Sequence, residues 1–205
     1  VAVACPSGGN IHSGFNDAYN EVALDIQNRL DKDDLKDLPL YITGHSLGGA
    51  LATVATKKIS HLRGGIAACY TFGSPRVGDE RWVGNIKTPI YRLVNAADCV
   101  TMLPPGDETI TVIGWLAQWV PYVGKPVRAF LLTKVNGYLH AGNMRYITNC
   151  TSTDYSKVEL LYSVNLFHRI KGLVTKKLPW VKLLKDHSIS TYRKKLLIIA
   201  STRNA

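Results

Sequence analysis

The chain has 205 residues, of which 46% are hydrophobic and 20% are charged, and its formal net charge is +10. This length suits a single domain over residues 1–205, and this composition predicts a packed core and excludes global disorder. No run of eighteen apolar residues occurs, so the sequence predicts no bilayer-spanning helix, and because only charge would support nucleic-acid binding, we predict no nucleic-acid partner.

Hydrophobic periodicity divides the chain into alternating strands and helices. In chain order it predicts a helix at 14–31, a strand at 38–43, a helix at 50–62, a strand at 66–72, a short helix at 80–86, a strand at 90–94, an edge strand at 144–148, and helices at 157–170 and 190–200. Residues 101–136 are rich in proline and aromatic residues and are interpreted as a long insertion. The alternation favours an α/β fold with a mostly parallel central sheet flanked by helices.

The strongest chemical signal is a G-x-S-x-G motif centred on Ser46. A predicted strand precedes the motif and a predicted helix follows it, which is the context of a nucleophile elbow in the α/β-hydrolase fold. Gly44 and Gly48 have no Cβ, so the strand and the helix can approach closely at this turn. We therefore predict Ser46 as the nucleophile and the backbone N–H of Leu47 as a donor to the oxyanion of the tetrahedral intermediate.

A serine nucleophile needs a histidine base, and in this fold the base follows the serine and the acid along the chain. That order leaves His140, His168 and His187 as candidates. His187 is preferred, because it lies just before a predicted helix in a loop that can aim it at the end of the sheet. His168 falls inside a predicted helix, where a surface role is expected, and His140 stays as the second choice.

The base in turn needs a carboxylate that orients it. Asp98 is preferred because it lies in the loop just beyond the strand predicted at 90–94, where an orienting carboxylate belongs. Asp107 follows a Pro-Pro-Gly turn and suits a solvated loop. Asp79 suits the N-cap of the short helix predicted at 80–86.

Several segments together resemble the class 3 lipase family, the fungal-type triacylglycerol lipases. The matching segments are 11–15 (IHSGF), 44–49 (GHSLGG), 71–79 (TFGSPRVGD), 103–105 (LPP), 138–142 (YLHAG) and 186–192 (DHSISTY). The resemblance runs from about residue 8 to 150 and again near 187. It implies an α/β-hydrolase fold whose triad falls on Ser46, Asp98 and His187, with Leu47 as an oxyanion donor. It also demotes His140, whose segment lies short of the catalytic histidine in the family.

One family feature has no counterpart before Ile11. Family members carry a long preceding segment with a motif like F-R-G-T, which supplies the other oxyanion N–H. The resemblance therefore implies that the 205 residues correspond to the later two-thirds of a family member and are N-terminally incomplete. Loss of an oxyanion donor costs roughly 2.7–4 kcal/mol of transition-state stabilisation, so we expect impaired activity of this piece alone.

The resemblance implies a serine hydrolase that cleaves lipid carboxylic esters through an acyl-enzyme on Ser46, with triacylglycerol as the first choice of substrate. There are three alternatives: a phospholipase, a short-chain esterase, and a catalytically impaired form that binds lipid or a protein partner. Trp115, Trp119 and Tyr122, together with residues 173–184, could form an acyl groove or face a lipid–water interface, or they could be ordinary core and solvated surface. The four cysteines lack metal-site spacing, and no metal or organic cofactor is implied.

Overall fold

A computed structural model of the chain describes residues 2–32, 35, 37–60, 65–104, 137–148, 150, 155–165, 168–169 and 185–203. The elements in these ranges are β1 (Ala2–Ala4), β2 (Asn10–His12), α1 (Ser13–Leu30), β3 (Tyr41–His45), α2 (Leu47–Ile59), β4 (Ala68–Phe72), α3 (Glu80–Gly84), β5 (Ile90–Asn95), a 3-10 turn (Val100–Met102), β6 (Asn143–Ile147), β7 (Leu160–Leu161) and α4 (Ile189–Arg203).

The described strands form a central sheet in the order β3-β4-β5-β6-β7. Strands β3 to β6 are parallel, and β7 pairs with β6 in the antiparallel sense. Parallel pairing places the carboxyl ends of β3, β4 and β5 at one edge of the sheet, which is where ligand sites of open α/β sheets lie. The loops that carry Ser46, Gly73 and Asp98 leave the sheet at this edge.

Helices cover both faces of the sheet, because successive strand residues point to opposite faces. On one face, Ile42, Cys69 and Ile90 pack toward α2 with Ala52. On the other face, Phe72, Leu93 and Ile147 pack against Tyr192 and Ile199 of α4. The predicted α/β fold with a mostly parallel sheet flanked by helices is confirmed. The described helices include none that is both long enough and apolar enough to cross a membrane.

Helix α1 packs against α2 through its apolar stripe. Tyr19 of α1 and Val54 of α2 are buried in a shared cluster with Trp82, and Phe15 and Ile26 pack against the same cluster. Helix α2 begins at Leu47, three residues earlier than predicted, because the two glycines after Leu47 continue the helix instead of breaking it.

Strands β1 and β2 form a separate antiparallel pair that the sequence did not predict. Each strand has only three residues, too few to show an alternating pattern. Asp79 fixes this pair to α3: its carboxylate accepts hydrogen bonds from the backbone N–H and the side-chain amide of Asn10, both at 2.8 Å, and from the backbone N–H of Trp82 at 2.8 Å. The N-cap role predicted for Asp79 is therefore confirmed.

The prediction of a helix at 157–170 is wrong in its first half, where the chain forms a strand. Residues Leu160–Leu161 form β7, and Ile147 of β6 pairs with Leu160. The backbone N–H of Glu159 donates to the Thr148 hydroxyl at 2.9 Å, which helps to hold this segment beside the sheet. The edge strand predicted at 144–148 is also wrong as an edge, because β7 pairs with the outer side of β6. A run of adjacent apolar residues satisfies both a helical and a strand pattern, and tertiary pairing decides between them here.

Candidate active site

The turn between β3 and α2 holds Ser46 in a strained backbone conformation. Its φ is +57° and its ψ is −127°, a region that residues with a Cβ rarely adopt and that costs about 1–3 kcal/mol. The Ser46 N–H donates to the carbonyl of Phe72 at 2.9 Å, and the Ser46 carbonyl accepts from Gly49 N–H at 2.9 Å. These bonds hold the turn so that the Ser46 side chain projects beyond the end of β3.

Ser46 and His187 are in hydrogen-bond contact, although 141 positions separate them in the sequence. The distance from Ser46 Oγ to His187 Nε2 is 2.8 Å. The other ring nitrogen, Nδ1, lies 2.9 Å and 3.0 Å from the two carboxylate oxygens of Asp98. Because a carboxylate only accepts, we assign the proton to Nδ1, which leaves Nε2 as the acceptor for the Ser46 hydroxyl proton.

The Asp98 carboxylate is fully buried, and it receives hydrogen bonds from three directions. Besides His187, the Tyr192 hydroxyl donates to Oδ2 at 2.7 Å, and the backbone N–H of Val100 donates to Oδ1 at 3.0 Å. Burial, the Asp98 charge and this hydrogen bond hold the pKa of Tyr192 well above its usual range, so Tyr192 stays a donor. These donors hold the Asp98 carboxylate in the orientation in which it accepts from the His187 ring.

A buried polar network fixes the short helical turn that carries His187. The side-chain amide of Asn95 donates to the Asp186 carbonyl at 2.8 Å, and the Ala97 N–H donates to the Asp186 carboxylate at 3.2 Å. Lys195 of α4 donates to Asn95 Oδ1 at 2.7 Å. The end of β5 and helix α4 are thereby tied to the residue next to His187.

The structure separates the other histidine candidates from Ser46. His140 donates its Nε2–H to the Thr101 carbonyl at 2.7 Å. Burial, followed by the nearby charges of Arg92 and Arg76, lowers the pKa of His140 well below its usual value, so this ring is neutral. The His168 ring packs edge-on against Tyr146, with 5.7 Å between ring centroids. Of these three histidines, only His187 contacts the Ser46 hydroxyl.

Leu47 is the first residue of α2, and its side chain is 53% exposed. A backbone N–H in the first turn of a helix has no partner inside that helix, and it lies at the positive end of the helix dipole. The Leu47 N–H is therefore in a position that suits an anion bound beside Ser46.

Sequence reasoning had not assigned functions to Tyr192, Asn95 and Gly73. Tyr192 entered only as the last residue of the 186–192 segment. Its role as a donor to Asp98 follows from a contact across 94 positions, which no local pattern reveals.

Gly73 lies at the end of β4 against the triad, with φ at +60°. A Cβ at this position would lie 2.6 Å from Asp98 Oδ2 and 3.1 Å from His187 Nδ1. We expect Gly73→Ala to displace one of these groups and to lower kcat about 100-fold, the usual consequence of an error near 1 Å in a reacting group. Ester hydrolysis kinetics and the thermal midpoint of the same sample would measure this. Unchanged kcat would show that the carboxylate and the imidazole tolerate the added methyl group.

Comparison with known proteins identifies the family of the chain. The family model described as "Lipase (class 3)" matches residues 2–108, slightly more than half of the 205 residues. The chain belongs to the class 3 lipase family. The segments that suggested this family at 11–15, 44–49 and 71–79 all lie inside the matched range.

Two relatives of this class 3 lipase chain come from fungi. It is 38% identical over 117 residues to a lipase of Rhizomucor miehei, covering 51% of the chain and 32% of the relative. It is also 38% identical over 106 residues to the secreted mono- and diacylglycerol lipase 1 of Fusarium solani, covering 48% and 31%. The chain thus spans about a third of the length of these curated relatives.

A solved structure with 28% identity and a TM-score of 0.54 covers 78% of the chain and 52% of its own length. It is described as a triacylglycerol lipase whose catalytic centre is a serine protease triad. Together with the sheet described above, the likeness identifies the α/β-hydrolase fold.

Some predictions about this class 3 lipase chain concern parts that lie outside the described residues. These are Asp107, the aromatic residues Trp115, Trp119 and Tyr122, most of the predicted 101–136 insertion, and residues 173–184. Among the residues that are described, no group of three or more His, Cys, Asp and Glu side chains is arranged to hold a metal ion.

Proposed function

We propose that this chain is the catalytic part of a carboxylic ester hydrolase that acts on lipid esters. The observation that carries the proposal is the chain of contacts from Ser46 Oγ through the His187 ring to the Asp98 carboxylate, at 2.8 Å and 2.9 Å. A serine on a strained turn, a base within hydrogen-bond distance and a buried orienting carboxylate are the three parts that nucleophilic acyl transfer requires.

The proposed reaction has two halves. Ser46 Oγ attacks the ester carbonyl while its proton moves to His187 Nε2, and the Leu47 N–H stabilises the resulting oxyanion. The tetrahedral intermediate expels the alcohol, which takes the proton from His187, and an acyl-enzyme on Ser46 remains. Water then attacks the acyl carbonyl and gives one proton to His187. The second tetrahedral intermediate releases the carboxylic acid, and Ser46 Oγ, as the leaving group, takes that proton back from His187. Asp98 stabilises the imidazolium in both halves and stays ionised.

We propose acylglycerols as the substrate class, with triacylglycerol first. The names of the relatives support this choice, since they include a triacylglycerol lipase and a mono- and diacylglycerol lipase. Two apolar side chains flank the reacting residues in sequence and are open to solvent: Leu47 is 53% exposed and Ile189 is 46% exposed. We propose that they contact the lipid at a lipid–water interface. A phospholipase or a short-chain esterase would use the same triad. The rates of hydrolysis of different esters distinguish these alternatives from an acylglycerol lipase.

Labelling with a fluorophosphonate, followed by mass spectrometry of the peptides, tests the proposal. This reagent phosphonylates a serine only when its hydroxyl is activated. We expect one adduct on Ser46, none in Ser46→Ala, and labelling of His187→Ala slowed roughly 10⁴-fold or more. His168→Ala is the matched control, because the His168 ring packs on Tyr146 and should leave labelling unchanged.

Absence of an adduct on folded protein, both for the 205 residues and for a version extended at the N-terminus, would contradict the proposed hydrolase. If such an unlabelled chain still bound phospholipid vesicles, the lipid-binding alternative would take its place. If labelling succeeds, initial rates on triolein, diolein, phosphatidylcholine and p-nitrophenyl butyrate separate the substrate classes.

A further inference from the structure

His45 is the last residue of β3 and directly precedes Ser46. The chain order of this fold excludes His45 as the base, because His45 comes before the serine. The structure nevertheless places its ring against His187, with 4.8 Å between ring centroids and 31° between ring planes. Its Nε2 lies 2.7 Å from the backbone carbonyl oxygen of His187. A carbonyl oxygen only accepts, so His45 Nε2 carries the proton in this contact.

This contact joins the two parts of the chain that supply the reacting atoms. His45 belongs to the elbow that holds Ser46, whereas His187 belongs to the turn before α4, and 142 positions separate the two histidines. The hydrogen bond fixes the main chain of His187 relative to the elbow. The distance between Ser46 Oγ and His187 Nε2 therefore depends on this bond as well as on the direct contact between them.

The N–H and the lone pair of an imidazole point in the plane of its ring. The hydrogen bonds of His187 to Asp98 and Ser46 therefore restrain rocking of the ring out of its plane less than movement within that plane. A neighbouring ring against its face opposes this rocking. The His45 ring occupies that face, and Tyr192 supports His45 in turn by an edge contact at 6.1 Å.

We propose that His45 is a positioning residue for the acyl-transfer reaction, which holds the His187 carbonyl by a hydrogen bond and the His187 imidazole by ring packing. The inference rests on the proposed function. His45 itself takes no proton from the substrate or from Ser46. Its effect is on the alignment of the base, so its loss should lower kcat and leave substrate binding unchanged.

Two substitutions separate the hydrogen bond from the ring packing. His45→Phe keeps a flat ring and removes the donor, and His45→Gln keeps an N–H donor of similar reach and removes the ring. We expect His45→Phe to lower kcat on p-nitrophenyl butyrate about three- to tenfold at constant KM, the range of one lost hydrogen bond. We expect a smaller loss in His45→Gln, which keeps the donor to the His187 carbonyl and gives up only the ring packing, so the loss that remains measures the packing contribution.

A double-mutant cycle distinguishes positioning from general destabilisation. If His45 acts through His187, then adding His45→Phe to His187→Ala should leave the residual rate unchanged. A loss that persists in the His187→Ala background, a change in KM alone, a Gln variant as slow as the Phe variant, or a Phe variant as fast as the parent would each overturn the inference. The two failures are distinguishable: an inactive and unlabelled parent would contradict the proposed hydrolase on which the inference rests, whereas the outcomes above, observed with an active parent, contradict only the role of His45.

Discussion

Asp98→Asn is expected to lower kcat for ester hydrolysis about 10⁴-fold while the protein remains folded. Three donors converge on the Asp98 carboxylate, from His187 Nδ1, the Tyr192 hydroxyl and the Val100 N–H. An asparagine has one acceptor oxygen and brings an NH₂ group of its own. That group must face at least one of the three donors, and it favours the histidine tautomer whose Nε2 carries the proton. In that tautomer His187 cannot accept the proton of Ser46.

Steady-state kinetics with p-nitrophenyl butyrate, together with a thermal melt, would measure this effect. Asp79→Asn is the matched control, because Asp79 caps α3 and binds Asn10 away from the triad. We expect the control to change stability and to leave kcat within about twofold of the parent. Retention of full activity by Asp98→Asn would show that another group orients His187.

Gly44→Ala is expected to disrupt the nucleophile elbow and to destabilise the protein by about 3 kcal/mol or more. A Cβ on Gly44 would lie 2.0 Å from the carbonyl oxygen and 2.3 Å from the carbonyl carbon of Gly48. These are backbone atoms at the start of α2, so they cannot rotate away as a flexible side chain would. Strand β3 and helix α2 must separate, and Ser46 moves with them.

Gly48→Ala provides the contrast. A Cβ on Gly48 meets no atom within 4 Å, and this residue lies inside α2. Alanine is favoured over glycine in a helix by about 1 kcal/mol, so this variant should be as stable as the parent or slightly more stable. Urea unfolding of both variants would measure the difference. Equal loss of stability in the two would mean that the elbow does not depend on the close approach at Gly44.

The sequence was sufficient for the parts of the site that depend on local geometry. The elbow needs glycine where the strand meets the helix, and this requirement is visible in the sequence as the glycines of residues 44–48. Asp98 could be located because a parallel sheet places the loops after successive strands at one edge. The order of serine, acid and histidine left three histidines, and the place of His187 before a predicted helix, together with the family resemblance, favoured it over His140. The structure brings Ser46, Asp98 and His187 together. Their catalytic roles remain a prediction for the labelling experiment.

The sequence was insufficient where structure depends on contacts between distant residues. The two glycines of the motif look equivalent as letters, yet only Gly44 meets backbone atoms when a Cβ is added. The segment 157–170 has apolar residues that suit a helix, but pairing with Ile147 makes Leu160–Leu161 a strand. Tyr192 and His45 gain their contacts with Asp98 and His187 only when α4 packs onto the sheet.

The placement of His187 just before α4 has a consequence for the order in which the protein becomes active. Its contacts with Asp98 and Ser46 close loops of 89 and 141 positions, among the longest that hydrogen bonds close between the described residues. Contacts of such long sequence separation carry a large loop-closure entropy and depend on the sheet that supports them. Enzymatic activity should therefore recover with the last phase of refolding, after the β3–α2 unit has formed, and it can serve as a reporter of complete assembly.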